Sequence, residues 1–237
     1  MKFSRVSFVV AGSLAASSGA FADGLIVNKV YHPYVDALEH ELEYRAVEQD
    51  TDPSRRNLAQ VHQLSIGKSI SDRLFGEVYV IGAKNRASGF RVEALEAELK
   101  WQLTEQGEYG IDWGMLFEYE HERKIDAEEL KVSLLAEKEM GQWSTTANFM
   151  LIDEWGGDVK DEIETGLALQ TRYRYSPKFE PAIEFYAGQA SRGIGPVVQG
   201  TITTGQRKSL HWEAGFIAGL GSRSPDQTWR FLLEYEF

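Results

Sequence analysis

Trp229-Arg230-Phe231-Leu232-Leu233-Glu234-Tyr235-Glu236-Phe237 closes the sequence. Trp229, Phe231, Leu233, Tyr235 and Phe237 take every second position, with Arg230, Leu232, Glu234 and Glu236 between them. A β-strand sends alternate side chains to opposite faces, so this stretch is apolar on one side and largely charged on the other. On a helix the same apolar residues could not share a face.

The alternation repeats back along the chain. Leu210, Trp212, Ala214, Phe216, Ala218 and Leu220 form one such row, and Tyr109, Ile111, Trp113, Met115, Phe117 and Tyr119 another. Leu95 to Leu103 sets its apolar row against Glu96, Glu98, Lys100 and Gln102. Near the start, Leu38, His40, Leu42, Tyr44 and Ala46 oppose Glu39, Glu41, Glu43 and Arg45, with His40 interrupting the apolar row. Turn residues punctuate the rows, among them Ser69–Asp72, Met140-Gly141-Gln142 and Ser176-Pro177-Lys178. The count is about twelve antiparallel strands, each with its connection taking roughly 18 residues. Ten is the alternative, at the expense of loops longer than the turn signals allow. Pro196 to Thr204 is the weakest strand, and Gln189–Gly195 before it reads as a glycine-rich loop. Short turns at Ser69–Asp72, Thr104–Glu108, Met140–Gln142, Ser176–Lys178 and Gly205–Ser209 fall at one end. Mostly longer loops (47–57, 83–88, 153–161, 189–195, 221–226) fall at the other, the asymmetry of membrane β-barrels.

With a terminal Phe237 and apolar Tyr235, Leu233 and Phe231 before it, the closing strand resembles that of Gram-negative outer-membrane β-barrels, in a small porin-like class. The resemblance implies an all-β fold, a single up-and-down transmembrane barrel over 35–237. It also implies outer-membrane lipid as surroundings. Phe231, Leu233, Tyr235 and Phe237 would then be an assembly signal read by the barrel assembly machinery. A periplasmic β-barrel or sandwich with the same pattern would turn the apolar rows inward. Aromatics flanking the apolar rows and glycines on the charged rows (Gly114, Gly166, Gly188, Gly215, Gly219) favour the membrane.

The first 22 residues read as a secretory signal: Lys2 and Arg5, an apolar run from Val6 to Leu14, and Ala20-Phe21-Ala22 as a cleavage site. Residues 23–34 then form an N-terminal periplasmic segment or a plug-like strap. The chain has no cysteine, which excludes a disulfide framework and a lipoprotein anchor. Its formal net charge of −11 makes nucleic acid a poor partner. Although 43% of residues are hydrophobic, they are dispersed as every second residue rather than gathered in a spanning helix.

Outward apolar rows leave an interior lined by Glu96, Glu98, Asp112, Glu118, Glu164, Arg172, Arg174, Glu184, Glu213, Arg230 and Glu234. These charges must be paired or wetted. They either form a salt-bridge network filling the interior or line a narrow pore whose surplus carboxylates favour cations. No cofactor fingerprint is present. The five histidines (His32, His40, His62, His121, His211) show no metal-ligand spacing. A Ser-His hydrolase site and an acidic Asp-His protease site both lack a matching context. Asp153, Glu154, Asp158 and Asp161 crowd one loop without a histidine. Arg and Lys tracks, as in acidic-oligosaccharide porins, are outweighed by acids. The Met- and His-rich segments of copper-resistance barrels are missing too. The expectation is a non-enzymatic narrow channel for small cationic or neutral solutes, with a plugged interaction barrel as the alternative.

Overall fold

The computed structural model describes residues 27–50, 58–84, 89–189 and 191–237. The expected signal segment and its cleavage point, residues 23–26, and residues 51–57, 85–88 and 190 lie outside them.

Twelve strands follow one another: β1 His40–Asp50, β2 Leu58–Ser71, β3 Leu74–Lys84, β4 Arg91–Gln102, β5 Asp112–Glu122 and β6 Glu128–Met140. The second half is β7 Trp143–Trp155, β8 Glu162–Tyr173, β9 Glu180–Ala187, β10 Arg192–Gly205, β11 Lys208–Gly219 and β12 Gln227–Glu236. Each pairs antiparallel with its neighbour in sequence, and β1 pairs with β12, so the sheet closes into a barrel. The closing ladder runs from Glu41 opposite Glu236 to Asp50 opposite Gln227. Beyond it, the Phe237 amide donates to the His40 carbonyl at 2.9 Å. Closure matters because an open strand edge would leave backbone groups unpaired in lipid.

Side chains sort as the alternation requires. Leu42, Leu64, Ile66, Val78, Val80, Leu95, Phe149, Leu151 and Phe231 are exposed on the outer face. Glu43, Glu98, Glu118, Glu137, Glu184 and Arg230 are buried inside. His40 keeps this parity: it points outward and its ring lies 5.8 Å from that of Phe237. Outward aromatics gather near both strand ends, as Trp143 with Tyr173 at 4.9 Å and Phe216 with Trp229 at 4.8 Å. Such girdles suit the two interfaces of a bilayer.

Several boundaries differ from the sequence expectation: the first strand runs on to Asp50 and the seventh to Trp155, into the expected loops 47–57 and 153–161. The fifth strand begins at Asp112 rather than Tyr109, because residues 103–111 form a turn in which the Gly107 amide donates to Asp112. The tenth begins at Arg192, inside the expected glycine-rich loop. Gly195 there lets β10 lie close to β11, since an added Cβ would fall 1.8 Å from the Phe216 carbonyl oxygen. Glycine in a strand marks such close backbone approach as well as a turn.

The largest addition is the strap, residues 27–35. It runs within the barrel before entering β1. Its side chains and backbone touch inward residues on β1, on β4 to β7 and on β12. Val27 and Val30 pack against Ala168, Ala182, Tyr186, Val197 and Ile217, giving the barrel an apolar core on one side. The described residues of the 23–34 segment lie among these inward side chains.

Candidate functional site

The interior is a charged lumen crossed by the strap. On one wall, Arg230 of β12 donates to Glu184 of β9 at 2.9 Å and to Glu213 of β11 at 2.7 Å. It also donates to the Tyr186 hydroxyl at 2.5 Å and the Asn28 carbonyl at 2.6 Å. Tyr186 in turn donates to Glu184 at 2.6 Å, and Gln170 donates to the same carboxylate. On this wall one guanidinium serves two carboxylates through short, charge-assisted bonds.

A second group sits round Glu137 of β6. Its carboxylate meets His32 of the strap at 2.5 Å, accepts from Ser144 at 2.5 Å, and lies 3.8 and 3.9 Å from Arg172 and Arg174. Arg172 also pairs with Glu180 at 3.2 Å, and Arg174 with Glu139 at 2.5 Å.

The wall formed by β1 and β3–β5 is different. Glu41, Glu43, Glu77, Glu96, Glu98 and Glu118 are all buried there. Carboxylate oxygens of Glu96, Glu98 and Glu118 lie within 4.8 Å of one another, as do those of Glu41, Glu43 and Glu234. Three cations serve both clusters. Lys131 lies 2.8 Å from Glu118, Arg45 2.5 Å from Glu43, and Lys29 of the strap 2.5 Å from Glu43 and 3.8 Å from Glu234. Hydroxyls supply further donors: Tyr31 to Glu98 at 2.6 Å and Tyr79 to Glu77 at 2.8 Å. These clusters are also the residues among those described that could gather round a metal ion, although an ammonium already stands beside each.

The strap is held throughout its length. The Tyr31 amide and carbonyl bond the Asn148 side chain at 2.8 Å each. The Tyr34 hydroxyl donates to Asp112 at 2.9 Å and the Val35 amide to Gln102 at 2.8 Å. Asn28 accepts from Arg45. Beside the strap, toward the short-turn end, lies a cavity of about 410 Å³. Asp36, Glu39, Glu41, Glu77, Glu98, Glu180, Glu213, Glu234 and Glu236 line it against Lys29, Lys100, Arg172 and Arg174. At its rim, burial chiefly pushes Glu39 up to about 7; Lys100 acts the other way, and Glu236, Glu234 and Asp36 add to the rise.

Of the interior residues expected from sequence, Glu96, Glu98, Asp112, Glu118, Glu184, Glu213 and Arg230 are buried. Arg172, Arg174 and Glu234 are half-buried with the partners named above, and Glu164 is half-buried on β8. They form separate groups joined by the strap rather than one track. Glu41, Glu43 and Arg45 stood on the charged face of the first strand and were identifiable by parity. The strap residues carried no periodic signal.

No protein-family model matches this sequence, and no curated protein matches it. Solved structures share its fold. An outer-membrane channel from Pseudomonas putida F1 aligns with a TM-score of 0.61 at 13% identity, over 89% of this chain and 98% of that one. The KdgM porin aligns at 0.55 with 14% identity, over 83% of this chain and 99% of its own. The NanC porin aligns at 0.51 with 10% identity, over 85% and 99%. The architecture they share with this chain is a closed antiparallel up-and-down barrel, here of twelve strands.

Proposed function

We propose that this protein is an outer-membrane channel narrowed by its own N-terminal strap and selective for small cationic or neutral solutes. The carrying observation is the cavity beside the strap, where nine carboxylates face four lysines and arginines. Surplus negative charge in a confined, low-dielectric passage raises local cation concentration and repels anions. The outward apolar belt, the closed ladder and the structural likeness to channels support placement in an outer membrane. The signal-like first 22 residues fit export to it.

Planar-bilayer recording of the refolded barrel, with and without residues 27–35, tests the reading. Small cation-selective steps are expected for the full chain and larger ones after the deletion. Anion selectivity, or no conductance from either form, would sink it. The apolar packing of Val27 and Val30 favours a second reading, a permanently plugged interaction barrel. That reading predicts a silent full chain which conducts only once the strap is removed.

A further inference from the structure

We propose that the inward carboxylates of Glu41, Glu43 and Glu234 form a seat for a primary organic ammonium ion, filled here by the strap's own Lys29 and accessible to a free amine from the adjoining cavity. Glu41 and Glu43 share the inner face of β1, and Glu234 stands opposite Glu43 in the β1–β12 ladder. Their oxygens converge within 4.8 Å, so one small cation reaches all three.

The wall supplies one cation here, the guanidinium of Arg45 on β1, whereas the ammonium comes from the strap. Lys29, the one lysine or arginine in 27–35, arrives on the strap with its Nζ 2.5 Å from Glu43 and 3.8 Å from Glu234. The Tyr31 ring lies 4.9 Å from the same nitrogen. Carboxylates on one side and an aromatic face on the other suit an alkylammonium, which brings three N–H donors and an apolar stem. The seat is also not saturated. Glu41 is 4% exposed, yet its Oε1 meets no hydrogen-bond donor among the described residues. An unsatisfied buried acceptor is costly, and a second ammonium would relieve it. Arg45, 2.5 Å from Glu43, disfavours a divalent metal there by charge repulsion. Lys29, Glu41 and Glu234 all line the 410 Å³ cavity, which gives a free amine its approach.

The inference names the solute class of the proposed channel and rests on that reading, but chemical rescue tests it without conductance. Lys29→Ala vacates the seat. The readout is the temperature at which the folded band converts to the unfolded one on a detergent gel. It is measured in butylammonium chloride, tetramethylammonium chloride, sodium chloride or magnesium chloride at matched ionic strength. Lys29→Ala should convert at a lower temperature than the wild type, and butylammonium should restore it saturably while the other salts do not. Adding Glu41→Gln should weaken that rescue by about tenfold in half-saturating concentration, the loss of one charged partner. Should Lys29→Ala fail to fold in sodium chloride, its refolding yield in butylammonium is the measurement, and no gain overturns the seat. Equal rescue by sodium or tetramethylammonium would reduce the effect to charge screening, and stronger rescue by magnesium would assign a metal instead. Either result overturns the proposal. Amine-specific rescue of a barrel that never conducts would discard the channel alone. Conductance without rescue would discard the seat alone.

Discussion

Arg230 is 3% exposed and spends its hydrogen bonds on Glu184, Glu213, Tyr186 and the Asn28 carbonyl. Removing it leaves two inward carboxylates without their cation. Breaking a buried pair from one side typically costs 3–5 kcal/mol. Arg230→Met should therefore lower stability by about that much in urea titration of the refolded barrel. Arg230→Met with Glu184→Gln should recover part of the loss, and equal stability of wild type and single variant would contradict this. Arg230, Glu184 and Glu213 were legible in the sequence because parity alone puts them inside. The same parity puts Tyr186 on the row of Glu184 and Tyr79 on that of Glu77, but it did not tell which carboxylate each hydroxyl would meet. Both are buried in the lumen because the hydroxyl answers a carboxylate while the ring fills space.

Strand number, order and facing were readable because a period of two repeats twelve times and turn residues separate the repeats. The strap was not readable as an element, because it pairs with no strand and its contacts come from nine strands distant in sequence. One residue on its route did leave a trace. Gly114 lies on the charged row of β5, and an added Cβ would sit 3.0 Å from both Cα and Cβ of Pro33. Gly114→Leu should push the strap aside and enlarge the single-channel step. Gly110→Leu serves as the control, because nothing lies within 4 Å of a Cβ there. Identical steps from the two variants would show that the strap does not set the bore.

At the scale of the whole molecule, the ring depends on the β1–β12 ladder and its last bond, from the Phe237 amide to the His40 carbonyl. Deleting Phe237 removes that bond, the ring contact with His40 and the terminal aromatic proposed as an assembly signal. Phe237→Tyr keeps all three. Outer-membrane levels should fall sharply for the deletion and little for the substitution; equal levels for the wild type and the deletion would refute the role. The overall architecture was the most legible level: alternation separated the two faces, and the flanking aromatics with the glycines on the charged rows indicated which of them turns outward. The lumen's occupancy was the least, since it depends on where a non-repeating segment comes to rest.

The strap also grips both sides of the closing seam. Arg45 and Glu43 hold it from the first strand, and Arg230 from the last, with Glu234 close by Lys29. It acts as an internal rivet across the join between the chain's two ends. The β1–β12 ladder closes the ring by itself, and the rivet adds to it, so parting the two terminal strands must break the strap's grips as well as the ladder.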